Sequence, residues 1–88
     1  MPLISQFYGI LIRMFFKDSE SHHIPHFHAV YGEFSATYTL DGEIIIGSLP
    51  NKQNKLVAAW AVLHYDELCA LWKLTQEEGS YFTIKGLE

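Results

Sequence analysis

HFHAVYGEFSATYTLDGEIIIGSL, residues 26–49, is the stretch that decides the fold. Apolar and polar side chains alternate through His26–Tyr31 and again through Glu33–Leu40, the period of half-buried strands. Tyr31–Gly32 lies between them as a tight turn, and Asp41–Gly42, the strongest hairpin signal in the chain, leads into a further strand over Glu43–Leu49. A two-residue turn at Tyr31–Gly32 sets His28 opposite Ser35 and His26 opposite Thr37. One face then carries His26, His28, Glu33, Ser35 and Thr37, and the other carries Phe27, Ala29, Phe34 and Ala36. The same register, continued through Asp41–Gly42, adds Ile44 and Ile46 to the histidine face, so that face is not simply wet. A second subunit or a partner protein is the natural cover for it.

Upstream, Phe7–Phe16 (FYGILIRMFF) is apolar on both faces and lacks helix caps, which predicts one interior strand. Lys17–Pro25 is polar, ends in proline and reads as a loop. Downstream, Pro50 and Asn51 stop the sheet. One long helix is expected from about Lys52 to Gln76, because 100° spacing gathers Leu56, Val57, Trp60, Leu63, His64, Leu68, Leu71 and Leu74 on one side. Gly79 suits the position past its end, and Tyr81–Ile84 reads as a last short strand. The expected fold is α+β, a single domain over residues 1–88: a mainly antiparallel sheet of four to five strands in the order β-β-β-β-α-β, with the helix packed on a face. The greasy Phe27 face is the expected one. A cluster joining His64 to His26 and His28 would need the helix on the other, and the pattern leaves this open.

Composition narrows the class. With 88 residues there is room for one core, and 49% apolar against 18% charged residues excludes a disordered chain. No apolar run approaches the roughly 18–20 residues of a membrane span, since Arg13 interrupts the best candidate. Met1–Gln6 lacks the basic start of a signal peptide, and the lone Cys69 excludes an internal disulfide, so a cytoplasmic setting is expected. Six basic residues against ten acidic give a net charge of −4, with no cluster beyond Lys52 and Lys55, which argues against duplex DNA as a partner and leaves RNA open.

The histidines carry the only chemistry. His22, His23, His26 and His28 fall within SHHIPHFHA, and alternate positions on a strand point the same way about 7 Å apart. Three roles fit His26 and His28. They can be hydrogen-bonded surface groups. They can be an acid–base pair acting on a phosphodiester, with His22 swinging in from the loop. Or they can be two ligands of a divalent transition metal, with His22 or His23 from the loop, or Glu33 from the neighbouring strand, as the third. A histidine-triad hydrolase would need a third alternating histidine where Val30 stands, and a zincin would need His-Glu-x-x-His, of which only His64 and Glu67 are present. His26, His28 and Glu33 match a cupin fragment without its flanking glycines, and about five strands cannot close a jelly roll. His64, at the centre of the helix stripe, reads as an imidazole hydrogen-bonded to a nearby oxygen.

The order of MPLISQFYGILIRMFF, HHIPHFHAVYGEFSA, DGEIIIGSLP and LVAAWAVLHYDEL resembles a small bacterial family, domain-of-unknown-function family 4160, over nearly the whole chain. His22, Pro25, His26, His28, Tyr31, Gly32, Glu33, Trp60, His64, Glu67 and Leu68 stand at matching positions, whereas Ser21, Ile24, Ala59 and Leu71 depart from the pattern. His64, Glu67 and Tyr31 are read as structural or supporting residues. The resemblance implies a genetic context: a neighbouring small protein, frequently of unknown-function family 2442, in a toxin–antitoxin-like pair. Two functions follow as expectations. The first is one half of such a module, working through protein–protein contact and as a candidate homodimer. The second is a small histidine-dependent RNase or metal-assisted hydrolase using His22, His26 and His28.

Overall fold

A computed structural model describes residues 2–16 and 24–88. Among these residues five strands, β1 (Leu3–Phe7), β2 (Ile10–Arg13), β3 (His26–Tyr31), β4 (Phe34–Thr39) and β5 (Ile44–Ser48), precede two helices, α1 (Asn51–Leu63) and α2 (Tyr65–Glu77). The strands form one antiparallel sheet in the order β1-β2-β3-β4-β5. The α+β class and the antiparallel sheet agree with the reading of the sequence; the element order β-β-β-β-α-β and the single helix do not.

Three differences have physical causes. Phe7–Phe16 is a hairpin rather than one strand, because Tyr8 (φ 48) and Gly9 (φ 79) both take positive φ, the geometry a two-residue loop needs to match strand twist. The expected helix divides at His64 (φ −112, ψ 24), which closes α1 and opens α2. Asp66 and Glu67 fall in the first turn of α2, where carboxylates favour a new helix start. Tyr81–Ile84 forms no strand, only one backbone bond from Ile84 N–H to the Ile4 carbonyl at 2.7 Å.

The turn between β3 and β4 also sits one residue later than expected. Gly32 and Glu33 form its tip, so His28 faces Thr37 and His26 faces Thr39. The shift is two residues in register, so every side chain keeps its face. A bulge in β5 then sets Ile46 opposite Thr37 but Ile44 opposite Tyr38, which removes Ile44 from the histidine face. β5 meets β4 closely: a Cβ on Gly47 would lie 2.4 Å from the Ser35 carbonyl oxygen, and Gly47 has φ 82.

The helices cover the Phe27 face. Phe27, Ala29, Ala36 and Tyr38 of the sheet are buried with Val57, Trp60, Ala61, Leu68 and Leu71. Trp60 packs on Phe7 at 5.4 Å and on Phe27 at 5.6 Å between ring centroids. Tyr38 donates to Asn54 Oδ1 at 2.8 Å, tying sheet to α1. The tail closes one sheet edge: Ile84 bonds to β1, the Trp60 indole N–H donates to the Lys85 carbonyl at 2.9 Å, and the Glu88 carboxylate accepts from Tyr8 N–H. Among the described residues no helix is long and apolar enough to cross a membrane.

Gly47→Ala combines a left-handed φ with a backbone clash, so a loss of at least about 2 kcal/mol is expected, lowering the melting temperature by roughly 8–16 °C. Thermal unfolding followed by circular dichroism checks this; an unchanged melting temperature contradicts the close β4–β5 approach. Burial also pushes the Tyr38 phenol up to about 12. The folded state therefore holds that proton more tightly than the unfolded chain, and the stability this gives is present below about pH 10 and lost as pH rises through about 12. Tyr38→Phe should cost about 1 kcal/mol at neutral pH through the lost Asn54 bond. It should also lose less stability than the natural chain between about pH 8 and 11, read by urea unfolding; equal losses would contradict the assignment.

Candidate functional site

Strand alternation at the start of β3 turns His26 and His28 away from Phe27 and Ala29, onto the face the helices leave open. The two imidazoles lie 5.1 Å apart, edge to face. Phe15, just past β2, sets its ring edge-on to His28 at 4.7 Å, and Trp72 of α2 reaches His26 at 5.3 Å. Across the sheet, Arg13, His28, Thr37 and Ile46 stand in one register row from β2 to β5. A shallow cavity of about 410 Å³ beside His28 is lined by Val30, Ser35, Thr37, Ile46 and Gly47 as well.

Each ring is held by its Nδ1. His26 Nδ1 lies 2.7 Å from the Ile24 carbonyl oxygen. A carbonyl only accepts, so Nδ1 carries the hydrogen and the neutral ring keeps its lone pair on Nε2. His28 Nδ1 lies 3.1 Å from the Thr37 hydroxyl, which can donate or accept, and His28 Nε2 is buried. A lone pair held in a fixed direction on His26 suits a proton acceptor or a metal ligand. The buried Nε2 of His28 suits packing better than attack on a dissolved substrate.

The other candidates lie elsewhere. His22 falls outside the described residues. Glu33 is at the tip of the β3–β4 turn, more than about 10 Å along the strand from His28, so His26, His28 and Glu33 are not brought together. Among the described residues no three His, Cys, Asp or Glu side chains are grouped to hold a metal ion. His64 sits on the helix side, 5.7 Å from the Trp60 ring, with Nδ1 2.5 Å from Glu67 Oε1. It stands across the sheet from the histidine pair. Tyr31 packs on the core face near Gly9, 3.4 Å from where a Cβ there would be. Phe15 and Trp72, which frame the pair, carried no signal of this in the sequence. Their contacts depend on where the chain leaves β2 and on how α2 turns after the break at His64.

The helix junction forms a second concavity, about 460 Å³, lined by Val62, Leu63, His64, Tyr65, Asp66 and Glu67. Its apolar members are open to solvent: Val62 is 64% exposed and Leu63 69%.

The family model described as Domain of unknown function (DUF4160) matches residues 9–73 of the 88, and the chain belongs to that family. The matched span runs from the β1–β2 turn to α2 and includes both histidine positions of β3. No curated protein and no solved structure matches the chain.

The His26 geometry has a direct spectroscopic consequence. Long-range proton–nitrogen NMR on the neutral imidazole should find His26 as the Nδ1–H tautomer, the form less common in free histidine. An Nε2–H signal would contradict the bond to Ile24.

Proposed function

We propose that this member of the DUF4160 family is a cytoplasmic binding module, one half of a toxin–antitoxin-like two-gene pair that acts through protein–protein contact. The observation that supports this reading is the helix junction, where Val62 and Leu63 lie largely exposed beside a concavity rimmed by Asp66 and Glu67. With most of their surface in water, Val62 and Leu63 contribute little to the chain's own core. A partner segment that offers an apolar anchor flanked by basic residues would bury them and meet the acidic rim.

A second reading keeps the histidines in view: a small RNase or metal-assisted hydrolase using His26 and His28, with His22 from the adjoining segment. The placing of His26 and His28 on one face of β3, with their rings 5.1 Å apart, favours it. RNA cleavage by the purified chain that disappears in His26→Ala/His28→Ala would move this reading to the front.

Co-expression with the adjoining small protein tests the first reading. A stable complex and a growth effect that differs between single and paired expression are expected. Leu63→Glu should weaken the complex by about tenfold or more, since it places a like charge beside the acidic rim. No complex, together with identical growth in both cases, would overturn the reading.

A further inference from the structure

We propose that the open sheet edge is an interface between two copies of this chain, with β5 pairing antiparallel to β5 of the second copy about a two-fold axis near Ile46. The inference rests on the reading of the chain as an association module and names one of its partners.

The two edges of the sheet are treated differently. The outer edge of β1 is closed by the chain's own tail through Ile84 and Glu88. At the other edge lies β5, all five of whose residues are exposed, with no strand outside it among the described residues. Ile44, Ile45 and Ile46 follow one another there, and Ile46 is 67% exposed. Edge strands that stay single carry lysine, proline, an inward charge or a bulge. The sequence of β5, IIIGS, carries no lysine, proline or charge, and its bulge is the one such device it has. Its bulge and Gly47 limit regular pairing to a short run, so contact between isoleucines of the two copies would supply most of the association.

Charge selects both the occupant and the direction. Exposed Asp41 and Glu43 lie just before β5, and exposed Lys52 and Lys55 just after it. An antiparallel pair of identical strands sets the acidic end of each beside the basic end of the other. A parallel pair would set acid against acid and base against base. The antiparallel arrangement is also isologous, so it closes at two copies and propagates no fibre. The histidine faces of the two sheets then continue into one surface, with Ile46 against its copy at the centre.

Sedimentation velocity on the full chain from about 1 to 300 µM tests this, the range in which a small interface of this kind dissociates. A reversible monomer–dimer equilibrium is expected. Ile46→Lys, or Ile45→Gln should the first variant lose its fold by circular dichroism, should weaken it at least tenfold or so. Glu43→Lys and Lys52→Glu should each weaken it, and the double variant should recover affinity to within about threefold of the natural chain. A monomer throughout overturns the proposal, as does a dimer that Ile46→Lys and Ile45→Gln leave intact or a double variant weaker than both singles. A monomer that still binds the adjoining small protein through Leu63 would remove the self-association and leave the binding-module reading standing.

Discussion

One indole organises the molecule. Trp60 is wholly buried between Phe7 of β1 and Phe27 of β3, stacks near His64 at the helix break, and gives its N–H to the carbonyl of Lys85. Sheet, helix pair and tail therefore meet on a single side chain. A fully buried tryptophan of this kind contributes several kcal/mol through its area alone, and its N–H would be costly to bury without a partner. Because Trp60 lies against Phe27, the helices must cover that face, and the alternating histidines of β3 must fall on the other. The same anchor brings the tail alongside β1. It closes one edge of the sheet and leaves the opposite edge without cover.

Function follows from what this arrangement leaves uncovered. The histidine pair is framed by Phe15, Thr37 and Trp72, with Arg13 and Ile46 in the same row of the sheet. That makes it as much a packed polar cluster as a reactive one. The apolar surfaces are simpler to interpret. Three isoleucines on β5 and the Val62–Leu63 pair at the helix junction lie on different elements, and both groups leave much of their apolar surface in water. Two separate exposed groups fit two separate contacts, one with itself and one with another protein.

Much of this was legible in the sequence, and the exceptions are instructive. Alternation over His26–Tyr31 and Glu33–Leu40 found β3 and β4 and sorted their side chains correctly between the faces, although the turn was one residue off. Parity protects such an assignment: a register error of two residues leaves every side chain on its side. Tyr8–Gly9 was hidden inside an apolar run because a tyrosine at positive φ is rare, so nothing in FYGILI marks a turn except the glycine. The helix break was hidden because Val57, Trp60, Ala61, Leu68, Leu71 and Thr75 keep helical spacing straight across it. Only Asp66 and Glu67 hinted at a second start. For the site, the pairing of His26 with His28 followed from strand geometry, whereas Glu33, put on their face by the same alternation, lies at the turn tip too far along the strand to join them. The bulge that moves Ile44 off the histidine face falls at Ile45, inside an unbroken run of isoleucines, where no periodicity marks it.

The contrast between the two sheet edges is the centre of this account, and amide hydrogen exchange read by mass spectrometry tests it most directly. Peptides covering residues 43–49 and 3–7 would be followed over a wide range of protein concentration. Protection of β5 should rise with concentration, while β1, already covered by the tail, should be protected to the same degree throughout. If β5 is equally protected at every concentration, or if β1 is the edge whose protection grows, the assignment of a closed edge and an open one is wrong.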